Sequence, residues 1–252
     1  MNTTTNHEQT VLITGGSSGL GLATAKRFVQ AGQKVAITGR NEEKLQAVVA
    51  ELGPLAKGYI LDMADLSGMD AVLDRIEKEW GVIWVLVNNA GINQKKDFLD
   101  VTDDDFQRII QVNQASLFSL SREVVRRMVA HEVRGSIINI SSMSAWYGIP
   151  KIIAYTASKT AVEGMTRSMA VDLGPLGIRV NCVAPGFIKT PMSDKALNSD
   201  PERKNRVLSR TPLGQLGKPE DIGNAVFFLA SDQASFIHGE VIKVDGGNSI
   251  GF

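Results

Sequence analysis

Seven short apolar runs recur along the chain: "TVLITG" (10–15), "KVAITG" (34–39), "KGYILD" (57–62), "WVLVNNAG" (84–91), "SIINISS" (136–142), "IRVNCVAPG" (178–186) and "EVIKVDGG" (240–247). They are rich in Val and Ile and mostly do not alternate with polar residues, the pattern of strands covered on both faces in a parallel sheet. Between them lie stretches with helical period. Over 66–80, Leu66, Met69, Val72, Leu73, Ile76 and Trp80 fall on one face. Asn41 is placed to cap a helix whose first turn carries Glu42 and Glu43. Thr102, followed by three aspartates, opens a helix running to about residue 131, and another spans 151–174. Strand and helix alternating in this way predict an α/β fold, a doubly wound Rossmann-type parallel sheet of about seven strands with helices on both faces. With no linker, repeat or low-complexity stretch, a single domain over 1–252 is the economical expectation. Residues 187–219 break the rhythm with four of the eight prolines and many polar residues. Such an insertion reads as a substrate-binding lid, or as a plain surface excursion.

Charge narrows the partners. The 27 basic and 27 acidic residues cancel, which gives no reason to expect nucleic acid or an anionic membrane. No apolar stretch approaches the ~20 residues of a membrane helix. The start, "MNTTTNHEQT", lacks the basic and apolar regions of a signal peptide and reads as a frayed tail. A cytoplasmic protein is the expectation. Cys182, the one cysteine, lies in an apolar run and reads as a small core residue. The three histidines, His7, His131 and His238, are scattered, and no metal-ligand spacing exists.

Chemistry concentrates in two places. Gly15, Gly19 and Gly21 follow the first strand and open a helix, with Ser17, Ser18 and Leu20 between them. Glycines let a backbone approach a pyrophosphate closely, and the helix start offers unpaired N–H groups; a tight turn without a ligand is the plainer alternative. In the second place, Ser142 ends a strand, where α/β sheets bind ligands. Thirteen residues later comes Tyr155, with Lys159 at i+4 on the same helix face. These groups fit carbonyl reduction, in which charge growing on the substrate oxygen must be held and protonated. Tyr155 can donate the proton, a nearby Lys159 cation favours its ionised form, and Ser142 can hydrogen-bond the oxygen.

Together, "TGGSSGLG" (14–21), "NNAG" (88–91) and Tyr155-x-x-x-Lys159 closely resemble the classical short-chain dehydrogenase/reductase family, and the resemblance covers essentially the whole chain. It implies that Lys159 also holds the nicotinamide ribose. It implies that Asn113 is a fourth active-site residue, carrying a water that links the lysine to solvent. Asp62 and Met63 would border the adenine, and Asn89, Ala90 and Gly91 its ribose side. "VAPGFIKT" (183–190) resembles the family's carboxamide clamp, with Pro185 and Gly186 in the turn, Ile188 bonding through its backbone and Thr190 nearby. Where the second strand ends, a carboxylate would favour NAD. This chain has Gly39 and then Arg40, and a guanidinium suits a 2′-phosphate, so NADP(H) is expected over NAD. Ser18 stands where many NADP-preferring relatives carry a second basic residue.

The residues expected around the substrate are Asn93, Met143, Ser144, Trp146, Ile152, Phe187 and Met192, mostly apolar and without a cation. They point to a neutral ketone, cyclic or bulky. The alternatives are a 3-oxoacyl-(acyl carrier protein) reductase or a sugar or polyol dehydrogenase. Relatives that take carrier-bound substrates usually present basic residues beside the cleft. The corresponding segments here, "MVAHEV" (128–133) and "PLGI" (175–178), argue against that, although Arg126, Arg127 and Arg134 lie nearby. A non-catalytic NADP-binding regulator is the rival from another class, and it would need no proton donor. Leu117, Phe118 and Leu120 spread apolar surface over more than one helix face, which together with the resemblance points to a homotetramer.

Overall fold

Each apolar run becomes a strand whose successive side chains enter two different cores. The computed structural model describes residues 9–190 and 200–251. Its strands are β1 (Gln9–Ile13), β2 (Lys34–Gly39), β3 (Ala56–Ile60), β4 (Val82–Asn88), β5 (Ser136–Ile140), β6 (Arg179–Pro185) and β7 (Val241–Val244). The helices are α1 (Gly19–Gln30), α2 (Glu42–Leu52), α3 (Met69–Trp80), α4 (Asp103–Ile110), α5 (Ser116–Ala130), α6 (Ile153–Leu173), α7 (Pro201–Arg210) and α8 (Pro219–Ala230). The strand order is β3-β2-β1-β4-β5-β6-β7, and every pairing is parallel.

Val11, Ile13, Val35, Ile37, Val85 and Val87 face Phe28 of α1, Leu45 of α2 and Val226 of α8. The residues between them, Leu12, Ala36 and Leu86, face Leu73 of α3, Leu120 of α5 and Ala170 of α6. With a period of two and apolar helices on both faces, neither strand face can be polar. Each such side chain contributes about 1.5–3 kcal/mol by burial. Among the polar exceptions, Thr38 Oγ1 and Ser136 Oγ are buried without a hydrogen-bond partner among the described residues, whereas amides and hydroxyls at the ends of β4 and β5 and on the helices beside them form a chain of hydrogen bonds. Asn88 Nδ2 donates to Asn139 Oδ1 (2.9 Å) and Ser121 Oγ (2.9 Å), and Asn139 Nδ2 donates to Thr166 Oγ1 (2.9 Å).

Local signals act where the sequence places them, with two differences. Asn41 Oδ1 accepts from Lys44 N at 2.8 Å and starts α2. Thr102 and Asp105 form a capping box at α4. The expected helix from Leu66 begins only at Met69, because the Asp65 carboxylate accepts from Ser67 N (2.9 Å) and Ser67 Oγ (2.6 Å), turning the chain and leaving Leu66 exposed. The expected helix over 102–131 is α4 and α5 joined through a π turn, Gln111–Ala115. Residues 191–199 of the 187–219 excursion lie outside the described residues, as does the 1–8 tail. At the base of the excursion Lys189 N donates to Gly217 O (2.7 Å) and Gly217 N to Phe187 O (3.0 Å).

The strand order reverses between β1 and β4, where the chain, having added β2 and β3 on one side, crosses to the other. A crevice forms outside the carboxyl ends of the strands at such a point. The glycine turn after β1 and the "NNAG" segment ending β4 meet there.

Candidate active site

Gly15 (φ +65°) and Gly19 (φ +54°) occupy the left-handed region that favours glycine. A Cβ on Gly21 would collide with the Gly15 carbonyl oxygen and come within 2.5 Å of Asn89 Nδ2. That amide donates to Thr14 O (2.8 Å) and Gly15 O (3.2 Å). Thr14 Oγ1 accepts from the backbone N–H of Asn89 and of Ala90, both at 3.0 Å. Thr14, which the sequence did not single out, therefore ties the glycine turn to "NNAG". Above Gly19 the nearest atom to a built Cβ is Thr190 Cγ2 at 3.9 Å, which leaves an open cradle at the start of α1. Ser18 makes no side-chain cap bond, so it does not occupy the first N–H groups of that helix. A dinucleotide pyrophosphate fits this cradle.

At the end of β2, a Cβ on Gly39 would lie 3.3 Å from Ser17 Oγ, so a larger residue at 39 would press on the turn. Arg40 is exposed and has no ion-pair partner among the described residues. Leu20 packs into the α1 side of the core, and Met63 is buried. Asp62 is exposed and accepts from Ala64 N at 3.0 Å.

The other half of the site is built on β5 and α6. Ser142 Oγ accepts from Ser144 N (3.1 Å), which starts a short 3-10 turn, Met143–Ala145. Lys159 is buried, and its Nζ donates to Ile140 O at 2.7 Å. Asn113 Oδ1 accepts from Ile92 N (2.8 Å), and its Nδ2 donates to Ile92 O (2.9 Å) and Ser158 Oγ (3.1 Å). The π turn carries this asparagine, in keeping with the tendency of π turns to sit at functional sites. A Cβ on Gly91 would come 3.3 Å from Asn113 Oδ1 and 3.5 Å from Lys159 Nζ, so these three converge on one spot.

Burial dominates the electrostatics. It lowers the Lys159 ammonium to about 8. It pushes the half-buried Tyr155 phenol up, with the Ser142 hydroxyl, as hydrogen-bond partner, pulling the other way. Lys159 Nζ lies 5.7 Å from the centre of the Tyr155 ring. Burial outweighs the Ser142 hydrogen bond and holds the phenol above its ordinary value. The 183–190 segment starts in β6, which is anchored on β7. Pro185 pairs with Val244, Gly186 N donates to Val244 O (2.9 Å), and a Cβ on Gly186 would come within 2.6 Å of Asp245. Ile188 is buried and bridges to Gly217.

The family model described as Enoyl-(Acyl carrier protein) reductase matches residues 15–249. A 3-oxoacyl-[acyl-carrier-protein] reductase from Thermotoga maritima is 40% identical over 240 residues, covering 94% of this chain and 96% of the relative. A 3alpha-hydroxysteroid dehydrogenase from Mediterraneibacter gnavus is 39% identical over 241 residues, covering 93% and 94%. A solved structure from Agrobacterium tumefaciens, assigned as a 2-deoxy-D-gluconate 3-dehydrogenase with NADP bound, superposes with a TM-score of 0.88 at 34% identity over 98% of both chains. This chain belongs to the classical short-chain dehydrogenase/reductase family. It is an oxidoreductase acting on CH–OH and C=O groups.

In this short-chain dehydrogenase/reductase, Phe187 joins Tyr147, Ile149, Pro150, Arg206 and Arg210 around a cavity of about 290 Å³. Arg210 stacks 4.6 Å from the Tyr147 ring, and its Nε donates to Asn248 O (3.0 Å). Both arginines belong to α7, whose approach to Phe187 no local pattern announces. Trp146 points elsewhere. Its indole N–H donates to Glu163 Oε1 (2.9 Å), and Lys243 Nζ lies 3.7 Å from its ring centre. Met143, Ser144 and Ile152 are buried, Asn93 is exposed, and Met192 lies outside the described residues. A larger hollow of about 680 Å³ lies among Arg134, Ser136, Arg179 and His238, at the amino ends of β5 and β6, the opposite end of the strands from Ser142.

Proposed function

We propose that this protein is an NADPH-dependent reductase that interconverts a ketone and a secondary alcohol. The observation that carries the reading is the convergence of Gly91, Asn113 and Lys159 beside Ser142 and Tyr155, at the strand ends where the glycine cradle opens. When bound, the nicotinamide supplies the hydride. Ser142 donates a hydrogen bond to the substrate oxygen, and Tyr155, kept protonated by burial, delivers its proton there. Lys159, fixed on Ile140 O, turns its remaining protons toward the cofactor ribose. Asn113 fixes the Ile92 backbone, and a water beside it would link Lys159 to solvent. Gly39 and Arg40 support NADP(H) over NAD, as does the NADP in the Agrobacterium relative.

The apolar wall of Phe187, Ile149 and Pro150 supports a neutral ketone, cyclic or bulky, as substrate. Arg206 and Arg210 favour a second reading, a 3-oxoacyl group on an acidic carrier, the substrate class in the name of the Thermotoga relative. We take the chain as a single domain over 1–252 with a lid at 187–219, working in the cytoplasm as a homotetramer. The exposed Phe118 on α5 supports the assembly, and no helix among the described residues is long and apolar enough to cross a membrane. The test is Tyr155→Phe assayed by NADPH absorbance over a ketone panel. Turnover falls at least ~100-fold, the scale of a lost general acid, while NADPH affinity stays within about twofold. A variant that keeps its turnover removes Tyr155 as the donor, and a wild-type protein that binds NADPH but never oxidises it restores the regulator.

A further inference from the structure

Glu163 is a buried carboxylate, 6% exposed, on the helix that carries Tyr155 and Lys159. No cation pairs with it among the described residues. Its Oε1 accepts instead from two neutral donors, Ser141 Oγ at 2.8 Å and Trp146 Nε1 at 2.9 Å. These donors bracket Ser142, one residue before it and four after. Ser141 Oγ also lies 3.2 Å from the Lys159 carbonyl, and Ser141 N donates to Val183 O (2.8 Å). The segment from the end of β5 through the 3-10 turn is thus clipped to α6 on both sides of Ser142.

We propose that Glu163 is a positioning residue that sets Ser142 against Tyr155 by holding Ser141 and Trp146 on one carboxylate oxygen; the inference rests on the reading of Ser142 and Tyr155 given above. Burying a carboxylate without an ion partner is costly. An apolar side chain would fill this place without that cost but could not hold the loop. Hydrogen bonds to a charged acceptor are stronger and more directional than neutral ones, which suits a clip whose purpose is geometry. The groups facing Glu163 are Lys159 one turn back on α6, Cys182 on β6 and, beyond the Trp146 ring, Lys243 on β7. Lys159 is engaged by Ile140 O and Lys243 lies on the indole face, so the carboxylate is left to the two loop donors.

The experiment compares Glu163→Ala, Glu163→Gln and Trp146→Phe for kcat, NADPH Kd, thermal midpoint and the pH profile of kcat. A misplacement of about 1 Å costs up to ~100-fold in rate. Glu163→Ala should therefore lower kcat by roughly 10–100-fold with NADPH Kd unchanged. It should also raise the apparent pKa of the profile, because Ser142 no longer pulls the Tyr155 phenol down. Glu163→Gln, which keeps an oxygen acceptor, should recover most of the rate. Trp146→Phe, which removes one donor and keeps a ring under Lys243, should fall between the two, and it carries the test if Glu163→Ala does not fold. The proposal is overturned if these variants only lower the thermal midpoint while kcat and its pH profile stay put, or if Gln rescues no better than Ala. If Tyr155→Phe itself remains active, the parent reading fails; if Tyr155→Phe is dead and Glu163→Ala is not, only the positioning role fails.

Discussion

Lys159 lets the cost of the site be read as stability. Its ammonium is almost fully buried, and burial lowers it from 10.5 to about 8. At about 1.4 kcal/mol per pH unit, that is on the order of 3 kcal/mol held against folding while the group is charged. The folded protein gives up this proton before the unfolded chain does, so between pH 8 and 10.5 the unfolded chain holds more protons and stability rises with pH. The burden is fully present below pH 8 and gone above 10.5. Burial also pushes up the Tyr155 phenol and takes the Cys182 thiol to about 12; those groups titrate in a Lys159 variant as well, so only the small Cys182–Lys159 interaction remains in the difference. The assay is urea unfolding of the cofactor-free wild type and of Lys159→Met across pH 7 to 10.5. Wild-type stability minus variant stability should be flat below pH 8 and climb by ~3 kcal/mol above it. In thermal melts the same gain is worth roughly 6–12 °C at ~2–4 °C per kcal/mol for a chain of this size. A difference that stays flat throughout, or falls, refutes the burial argument.

Arg40→Asp should move preference from NADPH toward NADH, because it exchanges a guanidinium suited to a 2′-phosphate for a carboxylate that repels it; an unchanged ratio of kcat/KM for the two cofactors shows Arg40 to be a surface charge only. Asn113→Leu leaves the Ile92 N–H and carbonyl without their side-chain partner and should cost about 2 kcal/mol in urea unfolding, together with most of the turnover. Stability within ~0.5 kcal/mol of wild type would show that water replaces the amide freely.

The parts of the fold visible beforehand are those where one physical rule dominates. "VLITG" reads as a doubly covered strand because Val11 and Ile13 enter one core and Leu12 the other, and no second rule competes. Asn41 and Thr102 announce helix starts because the cap bond is local. The glycine turn is legible for the same reason, since two of its residues need positive φ. What stayed hidden depends on distant geometry. A π turn at Gln111–Ala115 adds a residue to one turn without altering composition, so the periodic pattern continues while Asn113 is re-aimed. Trp146 looks like a pocket residue beside Ser142, yet its indole turns to a carboxylate seventeen positions away. Arg206 and Arg210 stay exposed helix charges, and only the tertiary path of α7 brings them beside Phe187.

Lys159 and Glu163 show why fold and site have to be argued together. They are opposite charges at i and i+4 on one helix, the spacing at which a surface pair would ordinarily bond. Both are buried, where mutual attraction would be strongest. Each is nonetheless engaged elsewhere, Lys159 by the Ile140 carbonyl and Glu163 by Ser141 and Trp146. Had they paired, the lysine would lose protons it can offer to a ribose, and the loop carrying Ser142 would lose its clip. Ile140 ends β5, and Ser141 follows it directly. The two charges therefore grip adjacent residues at a single strand end. Ser142, the residue proposed to meet the substrate, comes next in the chain, so α6 holds the backbone leading into it at two points.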